Sequence, residues 1–158
     1  MKAIAVLLLI IFIVDGQSTY SIDAFLDYLQ ENGYYEIILQ VKITFGDDIA
    51  IDVCKQLVQT NDCEIVVKTY MTGSHSMNCP SVPHNYIELK NKIKTEPSKD
   101  FIDKIERLLR RLSPDEKELV FLLLSFYDIL IKKMSEDQIF NLIIYVLSNN
   151  IIKIIKIC

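Results

Sequence analysis

Polar and apolar positions alternate along this chain with a period close to that of an α-helix. Ser21 is placed to cap a helix whose Ile22, Phe25, Leu26 and Leu29 share one face, and Gly33 is placed to end it. The next stretch, YYEIILQVKITFG, is ambiguous. Ile37, Val41 and Phe45 fit a helix, while Ile37, Leu39, Val41, Ile43 and Phe45 alternate as in a strand. No partner strand follows, and an isolated strand has nowhere to place its hydrogen bonds, so the stretch reads as helix. Asp47 and Asp48 supply a cap and favourable charge for a helix with Ala50, Val53, Cys54, Leu57 and Val58 on one stripe. After Asn61-Asp62, Cys63, Val66, Val67, Tyr70 and Met71 form another stripe.

The pattern lapses over TGSHSMNCPSVPHN and then resumes. A short helix carries Tyr86, Leu89 and Ile93 and is stopped at Glu96-Pro97-Ser98. Ser98 caps a helix with Phe101, Ile102, Ile105, Leu108, Leu109 and Leu112 on one face, and Lys104, Arg107 and Arg111 lie on the other side. Ser113-Pro114-Asp115-Glu116 is a capping box with proline at the first helical position. The segment it opens, KELVFLLLSFYDILIKK, is apolar nearly all round and is expected at the centre of the molecule. Ser135-Glu136-Asp137-Gln138 is a second capping box. It opens a last helix expected to break near Ser148-Asn149-Asn150 and resume as IIKIIKIC. The fold class predicted is all-α, with four helices on each side of the midpoint.

The first residues bear on the compartment. A basic Met1-Lys2, an apolar run of twelve residues from Ala3 to Val14 and a small-residue site at Val14-Asp15-Gly16 have the form of a secretory signal peptide. The run is shorter than the ~20 residues a membrane-spanning helix needs. Residues 1–16 are thus expected to be removed, leaving 142 of the 158 residues and a mature start at Gln17. In that secreted, extracellular setting the four cysteines, Cys54, Cys63, Cys79 and Cys158, are expected to form disulfides, with three possible connectivities. Cys54 and Cys63 are close in sequence. On antiparallel helices turning at Thr60 to Asp62, however, their offset of ~6 Å strains the usual Cα window unless a helix end frays.

Charge and motifs exclude more than they assign. The net charge of −4 offers nothing to nucleic acid. There is no Gly-rich phosphate loop, no G-x-S-x-G, no H-E-x-x-H and no C-x-x-C. His75 and His84 lie in the central loop without further ligands, so neither a metal nor another cofactor is expected. The carboxylates, and the basic cluster of Lys104, Arg107, Arg110 and Arg111, read as solvated helix faces. No enzymatic activity is expected.

One resemblance starts at the midpoint. CPSVPHNYIELKNKIKTEPSKDFIDKIERLL resembles the opening of a secretoglobin, the uteroglobin-like family of small secreted four-helix proteins, and the chain closes on Cys158 as such units close on a cysteine. In the first half, GYYEIILQ is similar to the opening of the family's second helix and DVCKQLV to its third-helix motif. The resemblance implies two four-helix units in tandem, residues 17–78 and 79–158, packed around an apolar core or cavity. The first unit lacks a leading cysteine, the second lacks a mid-chain one, and Cys63 has no counterpart.

The resemblance further implies a carrier or scavenger of small hydrophobic ligands, steroid- or lipid-like. Tyr35 would place a hydroxyl in the cavity or be an ordinary half-buried tyrosine, and Phe101 would hold the equivalent place in the second unit. Phe25, Leu29 and Phe45 would line the pocket or belong to plain core. Cys79 would pair with Cys158 within the chain, or reciprocally between two chains of a homodimer. Two other readings stay open: a secreted helical effector acting through a protein partner, and a saposin-like lipid-active protein, for which Lys153 and Lys156 among isoleucines suit a membrane-facing helix.

Overall fold

The structure, a computed structural model, describes residues 18–71 and 79–158. The expected signal peptide, His75 and the start of the midpoint loop lie outside the described residues. The chain is all-α, with no strand among the described residues. In order, the helices are α1 (Ser18–Glu31), α2 (Tyr34–Phe45), α3 (Asp47–Val58), α4 (Cys63–Ile65), α5 (Tyr86–Lys92), α6 (Lys99–Leu109), α7 (Pro114–Leu124), α8 (Tyr127–Leu130) and α9 (Glu136–Asn149). A π-helical turn, Val66–Tyr70, continues α4.

The ambiguous stretch is helical, as α2, and it is nearly buried all round: Ile37, Ile38, Leu39, Val41 and Phe45 all face protein. Its alternating pattern reflects a helix covered on several sides rather than a strand. Glycines set both of its ends. Gly33 has φ +76° and Gly46 has φ +101° with ψ 177°, conformations open to glycine and strained for other residues. Asp47 and Asp48 sit in the first turn of α3, where their charge suits the helix N-terminus. The cap position itself is Gly46, and no side chain bonds there. Ser21 likewise lies inside α1 rather than at its cap.

Both predicted capping boxes form. Ser113 Oγ accepts from Glu116 N and Ser113 N donates to Glu116 Oε1. Ser135 and Gln138 make the same reciprocal pair. The central segment is two helices rather than one. Ser125 Oγ donates to Leu122 O at 2.5 Å, and Phe126 leaves the helical conformation before α8 begins. Such back-bonding by a serine competes with the helical ladder. Asp128 then ties α8 to the α5–α6 connection, its carboxylate accepting from Lys94 N and Thr95 N, both at 2.8 Å.

One continuous core runs through the described chain, from Ile22 in α1 to Ile154 beyond α9. Helix α2 packs against α1, α3 and α7, and α9 packs against α3, α6 and α7. Leu119 to Leu124 of α7 are all buried, as the apolar run predicted. A polar contact also joins distant parts of the chain: Asn150, buried, donates through Nδ2 to Asp52 Oδ2 at 2.6 Å and to Val146 O at 2.9 Å.

Candidate functional site

The cysteines form two disulfides, both within the chain. Cys54 and Cys63 pair with their Cα atoms 5.8 Å apart, and Cys79 pairs with Cys158 at 5.6 Å. Both separations lie in the ordinary window. The offset expected for Cys54 and Cys63 is removed by a tight reversal. Gln59 ends α3 in the left-handed conformation, with φ 53° and ψ 48°, and Asp62 N donates to Thr60 Oγ1. Cys63 is the first residue of α4 and returns directly beside α3. Both sulfurs are carried on fully buried residues.

Beyond α4 the helix widens into the π turn, with Met71 N donating to Val66 O at 3.0 Å. Such turns are rare and often mark special sites. Here the widening puts Met71 into the core and leaves Tyr70 exposed, although both fell on the predicted stripe. Lys42 of α2 closes the open end: its Nζ donates to Val67 O and Met71 O at 2.5 and 2.7 Å and lies 3.7 Å from Asp47.

The C-terminal segment is not the helix predicted. After a turn in which Lys153 N and Ile154 N donate to Asn150 O, the chain leaves helical structure and lies on the surface. Its contacts alternate. Ile154 is buried, Lys156 meets Glu118 Oε2 at 2.6 Å, and Cys158 enters the disulfide with Cys79. Between them Ile155 and Ile157 are 61% and 64% exposed, and just before them Ile151 and Ile152 are 70% and 89% exposed. This period of two belongs to an extended chain with one face on the protein. Ile157 N donates to Thr44 O at 2.8 Å, and Lys153 pairs with Asp48 at 3.7 Å, so the segment is fastened along its length.

The residues singled out for ligand binding are dispersed. Phe25 and Leu29 of α1 and Phe45 of α2 are packed into the core, and Tyr35 is partly buried against it. Phe101 of α6 is buried with its ring 5.7 Å from that of Tyr127. It alone among the five borders one of three surface grooves described below.

The first groove, about 480 Å³, runs between the start of α6 and the start of α9. Glu136 organises it. Its carboxylate accepts from Ser98 Oγ at 2.6 Å, Ser98 N at 2.9 Å and Tyr127 OH at 2.6 Å, while Ser98 Oγ caps α6 by accepting from Phe101 N. Burial pushes the Glu136 carboxyl up, but the bonds from Ser98 and Tyr127 outweigh it and hold the group below its ordinary pKa. Asp128 is lowered in the same way, burial being overcome by the N–H groups of Lys94 and Thr95. Burial, the Glu136 hydrogen bond and nearby carboxylate charge raise the Tyr127 hydroxyl. Each of these bonds satisfies a helix end, fixes a loop or ties one helix to another.

The second groove, about 310 Å³, is polar and lies beside α3 and the C-terminal turn, with Asp52, Lys55, Glu64 and Lys68 among its walls. The third, about 350 Å³, lies between the end of α6 and the middle of α9. Its floor is Leu108, Phe140 and Ile144, and its edge is Lys104, Arg107 and Arg111. The basic cluster therefore flanks an apolar surface, which helix periodicity on α6 alone does not reveal. The exposed isoleucines were equally hidden, because a helical reading of IIKIIKIC turns them to several sides.

Among the described residues, no group of three or more His, Cys, Asp or Glu side chains is placed to hold a metal ion. Nor is any described helix long and apolar enough to cross a membrane. Comparison of the chain with protein-family models, with curated proteins and with solved structures finds no match. The secretoglobin resemblance stays an expectation drawn from the sequence.

Proposed function

We propose that this chain is a secreted, extracellular, non-enzymatic protein that acts through its surface by docking an apolar, extended segment of a protein partner. The observation that carries this reading is the strip Ile151, Ile152, Ile155 and Ile157, exposed on a segment anchored by a disulfide. Leaving four isoleucines in water forgoes roughly 1.5–3 kcal/mol of burial for each side chain. Exposed large apolar side chains clustered within one short segment are typical of interaction sites. Lys156 N and Cys158 N donate to no backbone carbonyl among the described residues, so an extended partner segment can add alongside. Lys156 is held by Glu118 in a half-buried ion pair, which supports a polypeptide partner over an anionic membrane for this face.

The test begins with the partner that co-purifies with the native protein. The double variant Ile155→Lys/Ile157→Lys, folded and with both disulfides intact, should lose that partner, and Ile87→Lys, at an exposed position of α5, should retain it. Retention by the double variant, or native protein carrying a small ligand and no partner, would sink the proposal. Leakage from anionic vesicles would point instead to the saposin-like reading.

A second reading, carriage of a small hydrophobic ligand, is favoured by the groove between the end of α6 and the middle of α9, whose volume of about 350 Å³ falls in the range of small-molecule sites. In the tandem organisation proposed for residues 17–78 and 79–158, each disulfide closes within its own unit, and this supports the division.

A further inference from the structure

We infer that the groove between α6 and α9 is a binding site for a single-chain amphiphilic anion, an aliphatic chain ending in a carboxylate or phosphate. This deepens the ligand-carrying reading and rests on it. The groove has two distinct walls. Leu108, Phe140 and Ile144 form an apolar floor, each partly buried and with surface left to cover. Along one edge stand Lys104, Arg107 and Arg111, which at i, i+3 and i+7 span ~10 Å of α6 and the turn beyond it.

Charge decides the class of ligand. The chain as a whole carries −4, yet this edge is cationic. Lys104 is engaged, 3.2 Å from Asp137 Oδ1 and 5.7 Å from the centre of the Phe140 ring. Arg107 and Arg111 are exposed and have no carboxylate within 4 Å among the described residues. Guanidinium groups match carboxylate and phosphate oxygens with paired N–H donors, and an apolar floor beside them takes a hydrocarbon chain. A neutral steroid or alkane would use the floor and leave the arginines unused. A fully hydrophilic anion would use the arginines and leave the floor wet. An amphiphilic anion uses both, as small-ligand sites with a mostly apolar lining and a few convergent polar groups do.

The experiment titrates the full-length disulfide-bonded protein with dodecanoate, dodecyl phosphate and dodecanol below their aggregation limits, by calorimetry and by heteronuclear NMR. Both anions are expected to bind, with shifts at Phe140 and Ile144, and dodecanol to bind about tenfold or more weakly, the difference of one charge-assisted hydrogen bond. Comparing the two anions separates a carboxylate site from a phosphate site. Arg107→Ala/Arg111→Ala, at exposed positions, should reduce the affinity for both anions about tenfold and leave dodecanol unchanged. Dodecanol binding as well as the anions, or anion binding unchanged by the double substitution, overturns the groove assignment while ligand carriage stands. No binding of any of the three overturns both. Capture of an acidic amphipathic peptide by the same arginines, with no binding of dodecanoate or dodecyl phosphate, overturns the small-ligand assignment in favour of a peptide site.

Discussion

Glu136 shows how one side chain at a helix start can hold three elements: α9, where it stands; α6, through Ser98; and α8, through Tyr127. The sequence marks it only as the residue after a capping serine, because its partners are 38 and 9 residues away. Its lowered pKa, and that of Asp128, mean that the folded state holds fewer protons than the unfolded chain at acid pH. Their contribution is therefore complete above the ordinary carboxyl values of 4.5 and 3.8 and is lost as pH falls through the lowered folded values. At the other limit burial raises the hydroxyls of Tyr86, Tyr127 and Tyr34, the last to about 12. The unfolded chain ionises these first, so stability falls as pH rises above 10. Denaturant titrations across pH should show a plateau between about pH 5 and pH 10. Glu136→Gln should flatten the acid limb, and its cost at neutral pH should be roughly 1.5–3 kcal/mol, that of a charge-assisted hydrogen bond. Gly46 gives a second test at this scale. A Cβ there meets nothing within 4 Å, so Gly46→Ala should cost about 1–3 kcal/mol from backbone strain alone, read as a shift in denaturation midpoint with unchanged slope.

Most helices were legible because their signals are local. Capping boxes at Ser113 and Ser135, the cap at Ser98 and the stripes of α1, α3 and α6 need no knowledge of the rest of the chain. The misread elements depend on contacts distant in sequence. IIKIIKIC is apolar enough for a helix, but its Cys158 must reach Cys79 and its Lys156 must reach Glu118, and both are met by an extended path. The break at Ser125 coincides with one side-chain hydrogen bond that any serine in a helix could make. The π turn after α4 is closed by Lys42, 25 and 29 residues before the carbonyls it binds. Lys42→Met keeps the stem and removes the ammonium. It should lower stability by roughly 1–3 kcal/mol, since Val67 O and Met71 O lose a charged donor. Hydrogen exchange should speed up selectively at Val66 to Met71. Faster exchange spread evenly over α2 and α3 would show instead that Lys42 supports the fold as a whole.

At the scale of the molecule, the candidate sites were less legible than the fold. The arginine edge and the isoleucine strip become candidate sites only when α9 and the C-terminal segment take their places beside helices distant in sequence. The Cys79–Cys158 disulfide is the covalent tie of the strip. It closes a span of 79 residues, and on the chain-entropy account such a crosslink stabilises by about 4.5 kcal/mol, largely by restricting the unfolded chain. The other fastenings are the buried Ile154, a single backbone hydrogen bond to Thr44 and two ion pairs, of which Lys153–Asp48 is exposed and contributes little. Removal of the disulfide should therefore have two separable effects. Cys79→Ser/Cys158→Ser should lower the unfolding free energy by about 4.5 kcal/mol, measured in denaturant. Under native conditions the amide of Ile157 should lose protection while the amides of α7 and α9 keep theirs, because Leu119 to Leu124 are buried within the helical core, to which the segment adds only Ile154. If the strip acts as a presented edge, this variant should also bind the partner more weakly at temperatures where it is fully folded, since ordering a loosened segment costs conformational entropy. Unchanged protection at Ile157 would mean that Ile154, the ion pairs and the Thr44 bond hold the strip unaided, and the disulfide would then serve stability alone.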